Sequence, residues 1–160
     1  MIDKTLQIYW QSECAQIIND LPCRLEEMFA LKATLVGELE PPVSALDPQR
    51  QQYDVRYLIP ILDEVDFSLW ILKEDISDPY HLYLYGVASD KTALVSAYRA
   101  RDGENFLKEV YHEVGHLLGL EHCRGKCVMR RSRNNNQLDK KPLTLCSRCR
   151  SKVNKLQKVV

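Results

Sequence analysis

Eleven residues, His112-Glu113-Val114-Gly115-His116-Leu117-Leu118-Gly119-Leu120-Glu121-His122, restrict what this chain can fold into more than any other stretch. His112 and His116 are four apart, so on a helix both imidazoles project from one face. That is the separation at which two nitrogens reach one zinc ion at about 2.0–2.1 Å. Gly119 permits a positive φ, so the helix can stop there and the chain can turn sharply. The turn brings His122 round as a third nitrogen. A fourth position stays open, as in a catalytic rather than a structural zinc site. Glu113 adjoins the first histidine and can move protons without coordinating. Three of the chain's four histidines lie in this one stretch.

Zinc lowers the pKa of a water from about 15.7 toward roughly 7 and polarises a carbonyl. Glu113 can take that water's proton as general base and pass it, as general acid, to the leaving group. By themselves the residues support hydrolysis of a polar carbonyl or ester by a zinc-activated water.

Four of the six cysteines follow at once, as Cys123-x-x-x-Cys127 and Cys146-x-x-Cys149, with Met129 between the pairs. Two close pairs separated by a loop have the ligand spacing of a structural Cys₄ zinc site. Disulfides conflict with a cytoplasmic chain, and no stretch here argues for export: no apolar run nears the roughly 20 residues of a membrane span, and MIDKTLQIYWQSE is not a signal peptide. Cys14 and Cys23 read as buried thiols, and His81 as a surface or sheet-edge histidine.

Upstream, Thr5–Trp10 alternates as a strand, and Ser12 caps a helix expected to run to about Leu31 with Pro22 kinking it. Ala33–Leu39 reads as a second strand. Pro48 to about Val65 reads as a helix with Tyr57, Leu58, Ile61 and Leu62 inward. Ser68–Leu72, Tyr80–Tyr85 and Ala93–Tyr98 read as strands, broken at Asp75–Pro79 and Ser89–Asp90. Tyr9, Trp10 and Trp70 are expected in the core. A helix opens at Gly103 and ends at Gly119. Arg130–Lys141 reads as an exposed loop, and Ser147–Val160 as a last helix. Strands alternating with helices, in 160 residues, make one α/β domain.

Net charge is zero but uneven: residues 1–80 hold 15 acids and 6 bases, residues 81–160 hold 7 and 16. A basic tail can offset the acidic half of one compact fold, or attract an anionic partner. The rival function is therefore a non-enzymatic zinc module contacting nucleic acid or an acidic partner through Arg124, Lys126, Arg130, Arg131, Arg133, Lys140, Lys141, Arg148, Arg150 and Lys152. Against it, the tail lacks interleaved aromatics for base stacking. A pure binding module also has no use for Glu113.

Taken together, His112–Cys149 resembles the archaemetzincin family of zinc metallopeptidases. The shared elements are the long helix motif, which is the metzincin signature, a cysteine directly after the third histidine (Cys123), a second cysteine (Cys127), a methionine two residues on (Met129) and a later CxxC (Cys146, Cys149). More weakly, Arg50-Gln51-Gln52-Tyr53 looks like the family's helix entry, and residues 75–99 look like its edge-strand region. Here the first cysteine pair is one residue tighter than the family pattern, which keeps every ligand type.

The resemblance implies a metzincin-like fold: a twisted mixed sheet with an antiparallel edge strand near Leu82–Gly86, backed by two long helices, with the active-site helix beneath. Residues 1–119 would form an upper subdomain and 120–160 a small zinc-clamped lower one. It further implies peptide or protein substrates, two zinc ions per chain, and Met129 as a Met-turn that floors the histidines without ligating.

Overall fold

The computed structural model describes residues 4–100 and 102–158. Five strands make the main sheet: β1 (Leu6–Trp10), β2 (Ala33–Glu38), β5 (Ser68–Leu72), β8 (Gly86–Ala88) and β9 (Thr92–Ser96), in the order β2-β1-β5-β9-β8. All neighbours pair parallel except β8, which runs antiparallel to β9 with Val87 opposite Leu94. The expected mixed sheet with one antiparallel edge is therefore present. The edge strand is Gly86–Ala88, however, and not Leu82–Gly86.

β5 and β9 are buried throughout, as central parallel strands are when both faces are covered. Side chains alternate between two cores. Leu69, Ile71, Ala93 and Val95 face a layer holding α1 (Leu21–Phe29) and α3 (Gly103–Leu117). Trp70, Leu72 and Leu94 face the opposite layer, where Leu58, Leu62 and Ile76 pack. A second, four-stranded sheet lies there: β3 (Leu46–Asp47), β4 (Gln52–Asp54), β6 (Ile76–Asp78) and β7 (His81–Leu84), in the order β3-β4-β6-β7. It is tied by the buried carboxylate of Asp75, which accepts from Gln52 Nε2 at 2.9 Å and from Arg99 through two nitrogens at 2.8 and 2.7 Å. Arg50 adds donors to the carbonyls of Asp78, His81 and Leu82.

Several expectations fail here for identifiable reasons. Pro22 does not kink a long helix but starts a short one; its missing N–H costs nothing in the first turn. Residues 12–14 form only a 3-10 turn. In place of the helix expected over 48–65 stand β4, a one-turn α2 (Val55–Leu58) capped by Asp54, and a 3-10 turn over Ile59–Leu62 that Pro60 enters near its start. Tyr57 and Ile61 consequently point outward, while Leu58 and Leu62 stay in the core. Gln52 and Tyr53 lie in a strand rather than at a helix entry, and among the described residues α1 is the one helix of more than a single turn before α3. The presumed break at Asp75–Pro79 contains β6. Trp70 is fully buried, whereas Tyr9 and Trp10 are half-buried, and Cys23 is exposed on α1 beside Glu27. His81 is exposed, on the outer strand β7 as expected.

The stretch 130–141 is also not a simple loop. It contains α4 (Asn135–Lys140), capped by Asn134, and buries Leu138 and Lys141. α5 (Ser147–Lys158) closes the described chain, with Val153 in the core; residues 159–160 of the expected helix, like residues 1–3, lie outside the described part. Among the described residues no helix is long and apolar enough to cross a membrane.

Candidate functional site

α3 carries the site. Asp102 caps it by accepting from the Asn105 N–H at 2.8 Å. Its C-terminus is a Schellman turn: the Gly119 N–H donates to His116 O and the Leu120 N–H to Gly115 O, both at 2.9 Å, with Gly119 at φ 95°. A side chain at 119 would be strained in that conformation, and without the turn His122 would continue away from the helix.

The cap also orients His116. The Leu120 carbonyl accepts from His116 Nδ1 at 2.7 Å, and the Val128 carbonyl from His112 Nδ1 at 2.9 Å. A carbonyl only accepts, so each Nδ1 carries the proton and each Nε2 offers a lone pair. Those two Nε2 atoms stand 3.2 Å apart. Two nitrogens at tetrahedral angles, about 2.0–2.1 Å from one zinc, would be about 3.3 Å apart. The His122 ring lies 4.8 Å from His116 and 5.2 Å from His112, centroid to centroid, and one ligand nitrogen from each histidine falls within 4.8 Å of the others. Burial, joined by the Lys141 charge, pushes protonation of His112 well below the usual histidine range; burial also lowers His116 and His122. Neutral imidazoles are the ligand form.

Glu113 is buried on the same helix. Burial first, and the Glu109 carboxylate second, hold its proton well above the usual carboxylate range. It lies against Gly86 of the edge strand, where a Cβ would come within 2.8 Å of both Glu113 Cγ and the Leu94 carbonyl. Below the helix, Met129 is fully buried, and a Cβ on Gly115 would meet its Sδ at 2.4 Å. The three histidines and Glu113 open onto a cleft of about 940 Å³. Residues 80–90 form one wall and residues 131–133 contribute to the other. The walls are joined by hydrogen bonds from Tyr83 Oη to the Arg133 carbonyl (3.0 Å) and from Tyr85 Oη to Asn135 Oδ1 (2.8 Å).

The four cysteines predicted to cluster are brought together, each sulfur within 4.8 Å of the rest. Cys123 and Cys146 sulfurs are 3.8 Å apart, close to the edge of a tetrahedron with bonds of about 2.3 Å. Backbone N–H groups point at the sulfurs: Met129 and Cys146 donate to Cys127, Gly125 to Cys123, and Cys149 to Cys146. The last of these leads the effects that hold the Cys146 thiol down to about 7, while burial pushes Cys127 and Cys149 up. Both donor sets fit zinc: an open three-nitrogen site and a closed four-sulfur site.

The sequence does not show the contacts that Gly86, Glu109 and Lys141 make around Glu113 and His112. Glu109 had a signal, being four residues before Glu113 on one helix face. Gly86 and Lys141 had none, because each matters through a partner distant in sequence. Three of the ten basic residues considered for an anionic partner are otherwise engaged: Lys141 is buried, Arg150 donates to the Met28 carbonyl and sulfur, and Arg130 donates to the Arg124 carbonyl.

Residues 96–155 match the model of peptidase family M54. The chain is 35% identical over 148 residues to the archaemetzincin of Nanoarchaeum equitans, covering 89% of this chain and 84% of that one. It is 30% identical to that of Archaeoglobus fulgidus over 86% of this chain and 88% of the relative. In structure it is similar to the Archaeoglobus fulgidus archaemetzincin complexed with malonate, with a TM-score of 0.86, 26% identity, and coverage of 93% and 99%. The Methanopyrus kandleri archaemetzincin gives the same TM-score and identity over 96% of this chain and 95% of that one.

Proposed function

The chain belongs to the archaemetzincins, zinc metallopeptidases of family M54, and from that premise we propose that Glu113 is its general base and acid, at a catalytic zinc held by His112, His116 and His122. The observation that carries this reading is the pair of Nε2 atoms 3.2 Å apart, each freed for a metal by a carbonyl holding its Nδ1 proton. When bound, zinc acidifies water and polarises the scissile carbonyl.

The residues supply the rest. Among the described residues β8 pairs only with β9, so its outer edge can take a substrate strand, which would bring a scissile carbonyl over the histidines. The buried Glu113, packed against that same strand at Gly86, takes a proton on its carboxylate and releases it to the leaving amine. A second, structural zinc on Cys123, Cys127, Cys146 and Cys149 clamps the lower part of the domain on itself, and so fixes the chain that presents His122. Substrates are peptides or proteins. Thiols kept as ligands suit the cytoplasm.

The test is Glu113→Ala, assayed on a broad peptide library beside elemental zinc analysis. Zinc content should match the wild type while the rate falls by about 10²–10⁴-fold. Near-full activity in the variant would exclude the assigned proton role.

A further inference from the structure

Lys141 is a buried cation for which the hydrolytic reading has no task. Its side chain is 1% exposed, and Nζ lies 3.0 Å from the Arg130 carbonyl, 3.3 Å from Glu109 Oε1 and 3.4 Å from His112 Nδ1. The last approach is not a hydrogen bond, because Nδ1 already carries a proton and gives it to Val128 O. Two donors face each other there, so the other two partners set the position of the ammonium. Glu109, itself buried, is one turn before His112 on α3. Arg130 directly follows Met129, and Val128 directly precedes it. One amine thus links the helix to the turn whose carbonyl aims His112 and whose methionine lies beneath Gly115.

A return link runs the other way. Lys108, also buried on α3, donates to the Leu138 and Asp139 carbonyls at the end of α4, at 3.0 and 3.1 Å. The residues just past α4 are therefore fixed before Lys141 reaches back. A buried ion pair is a poor way to gain stability, since an apolar pair of like volume often does as well or better. An apolar side chain cannot donate to the inward-facing Arg130 carbonyl. We propose that Lys141 is a positioning residue of the histidine site, holding the Val128–Arg130 turn so that the Val128 carbonyl keeps His112 in its ligating orientation.

This inference rests on the histidine zinc site proposed above, and the experiment separates the two. Zinc affinity of the histidine site is measured by competition with a chromophoric chelator, on full chain that retains its cysteine-bound zinc, alongside thermal unfolding. Wild-type protein is compared with Lys141→Met and with the double change Glu109→Leu/Lys141→Met. Lys141→Met should weaken zinc at the histidine site by about 10–100-fold, as loss of an outer partner of a metal ligand does. The double variant should regain thermal stability but not affinity. It also carries the test if the single variant fails to fold. Unchanged or tighter zinc in Lys141→Met, or recovery of affinity together with stability in the double variant, would overturn the proposal. A wild type holding zinc only on cysteines would instead remove the histidine site itself, and this inference with it.

Discussion

The sulfur of Met129 occupies the space in which a side chain on Gly115 would begin, 2.4 Å from the Cβ position. Both residues are buried, so Met129 has little room to swing aside. Gly115→Ala is expected to cost about 1–3 kcal/mol, the usual range for overpacking, and to disturb the turn beneath the histidines. Adding Met129→Val should return part of that stability. Denaturant unfolding of the single and double variants checks this, and a fully stable Gly115→Ala would contradict the contact.

Gly86→Ala is expected to be worse for catalysis than for folding. Its Cβ would press on Glu113 Cγ and on the Leu94 carbonyl, both 2.8 Å away, and the carbonyl belongs to the paired strand β9. Glu113 must then give way. Peptide cleavage should fall at least tenfold, about 1.4 kcal/mol in the barrier, while zinc content holds. If cleavage and zinc both match the wild type, the edge strand does not position Glu113.

Glu113 also makes stability depend on pH. Its folded-state proton affinity is raised, chiefly by burial. Its contribution is therefore complete below the unfolded carboxyl pKa, about 4.3, and is lost as pH rises through the folded value. With the histidine site stripped of metal, Glu113→Gln should be more stable than wild type near pH 7. The difference should shrink toward pH 4. Urea unfolding across that range measures it, and a difference that grows on acidification would reverse the assignment.

Two zinc ions per chain are expected, and a chelator should remove the histidine-bound one first, because its open position admits a competing ligand. Cys149→Ser should lower the unfolding temperature, since a structural zinc contributes directly to folding, and should weaken the histidine site through Cys123, the neighbour of His122. Replacing Arg130, Arg131 and Arg133 with Gln should leave both zinc ions and the unfolding temperature in place. A salt-sensitive nucleic-acid association abolished by that triple change would favour a binding role for the basic tail.

The parts readable in advance were those whose signal is local and periodic. β5 was expected at Ser68–Leu72 and is found there, and α3 begins at Gly103 as expected. The histidine and cysteine spacings brought both donor sets to notice because metal geometry constrains neighbours a few residues apart. β3, β4, β6 and β8 have two or three residues each, too few to show a period. Proline is ambiguous: the apolar stripe around Pro22 predicts an interior kink, but Pro22 sits where a helix begins. Lys141 falls in a polar stretch that reads as an exposed loop, where lysine usually lies. Its burial depends on Glu109, 32 residues earlier, and on a carbonyl 11 residues earlier.

His122 and Cys123 are joined by a single peptide bond, yet the sulfurs that cluster with Cys123 extend to Cys149. A nascent chain that has emerged only to Gly119 already has the main sheet's sequence and the whole of α3, but just two of the three nitrogens. On the proposed two-zinc reading, the third would be fixed only when Cys146 and Cys149 leave the ribosome and join Cys123, as chains fold from the N-terminus during synthesis. The order of synthesis would then withhold the proposed hydrolytic centre until the segment carrying Cys146 and Cys149 has been made.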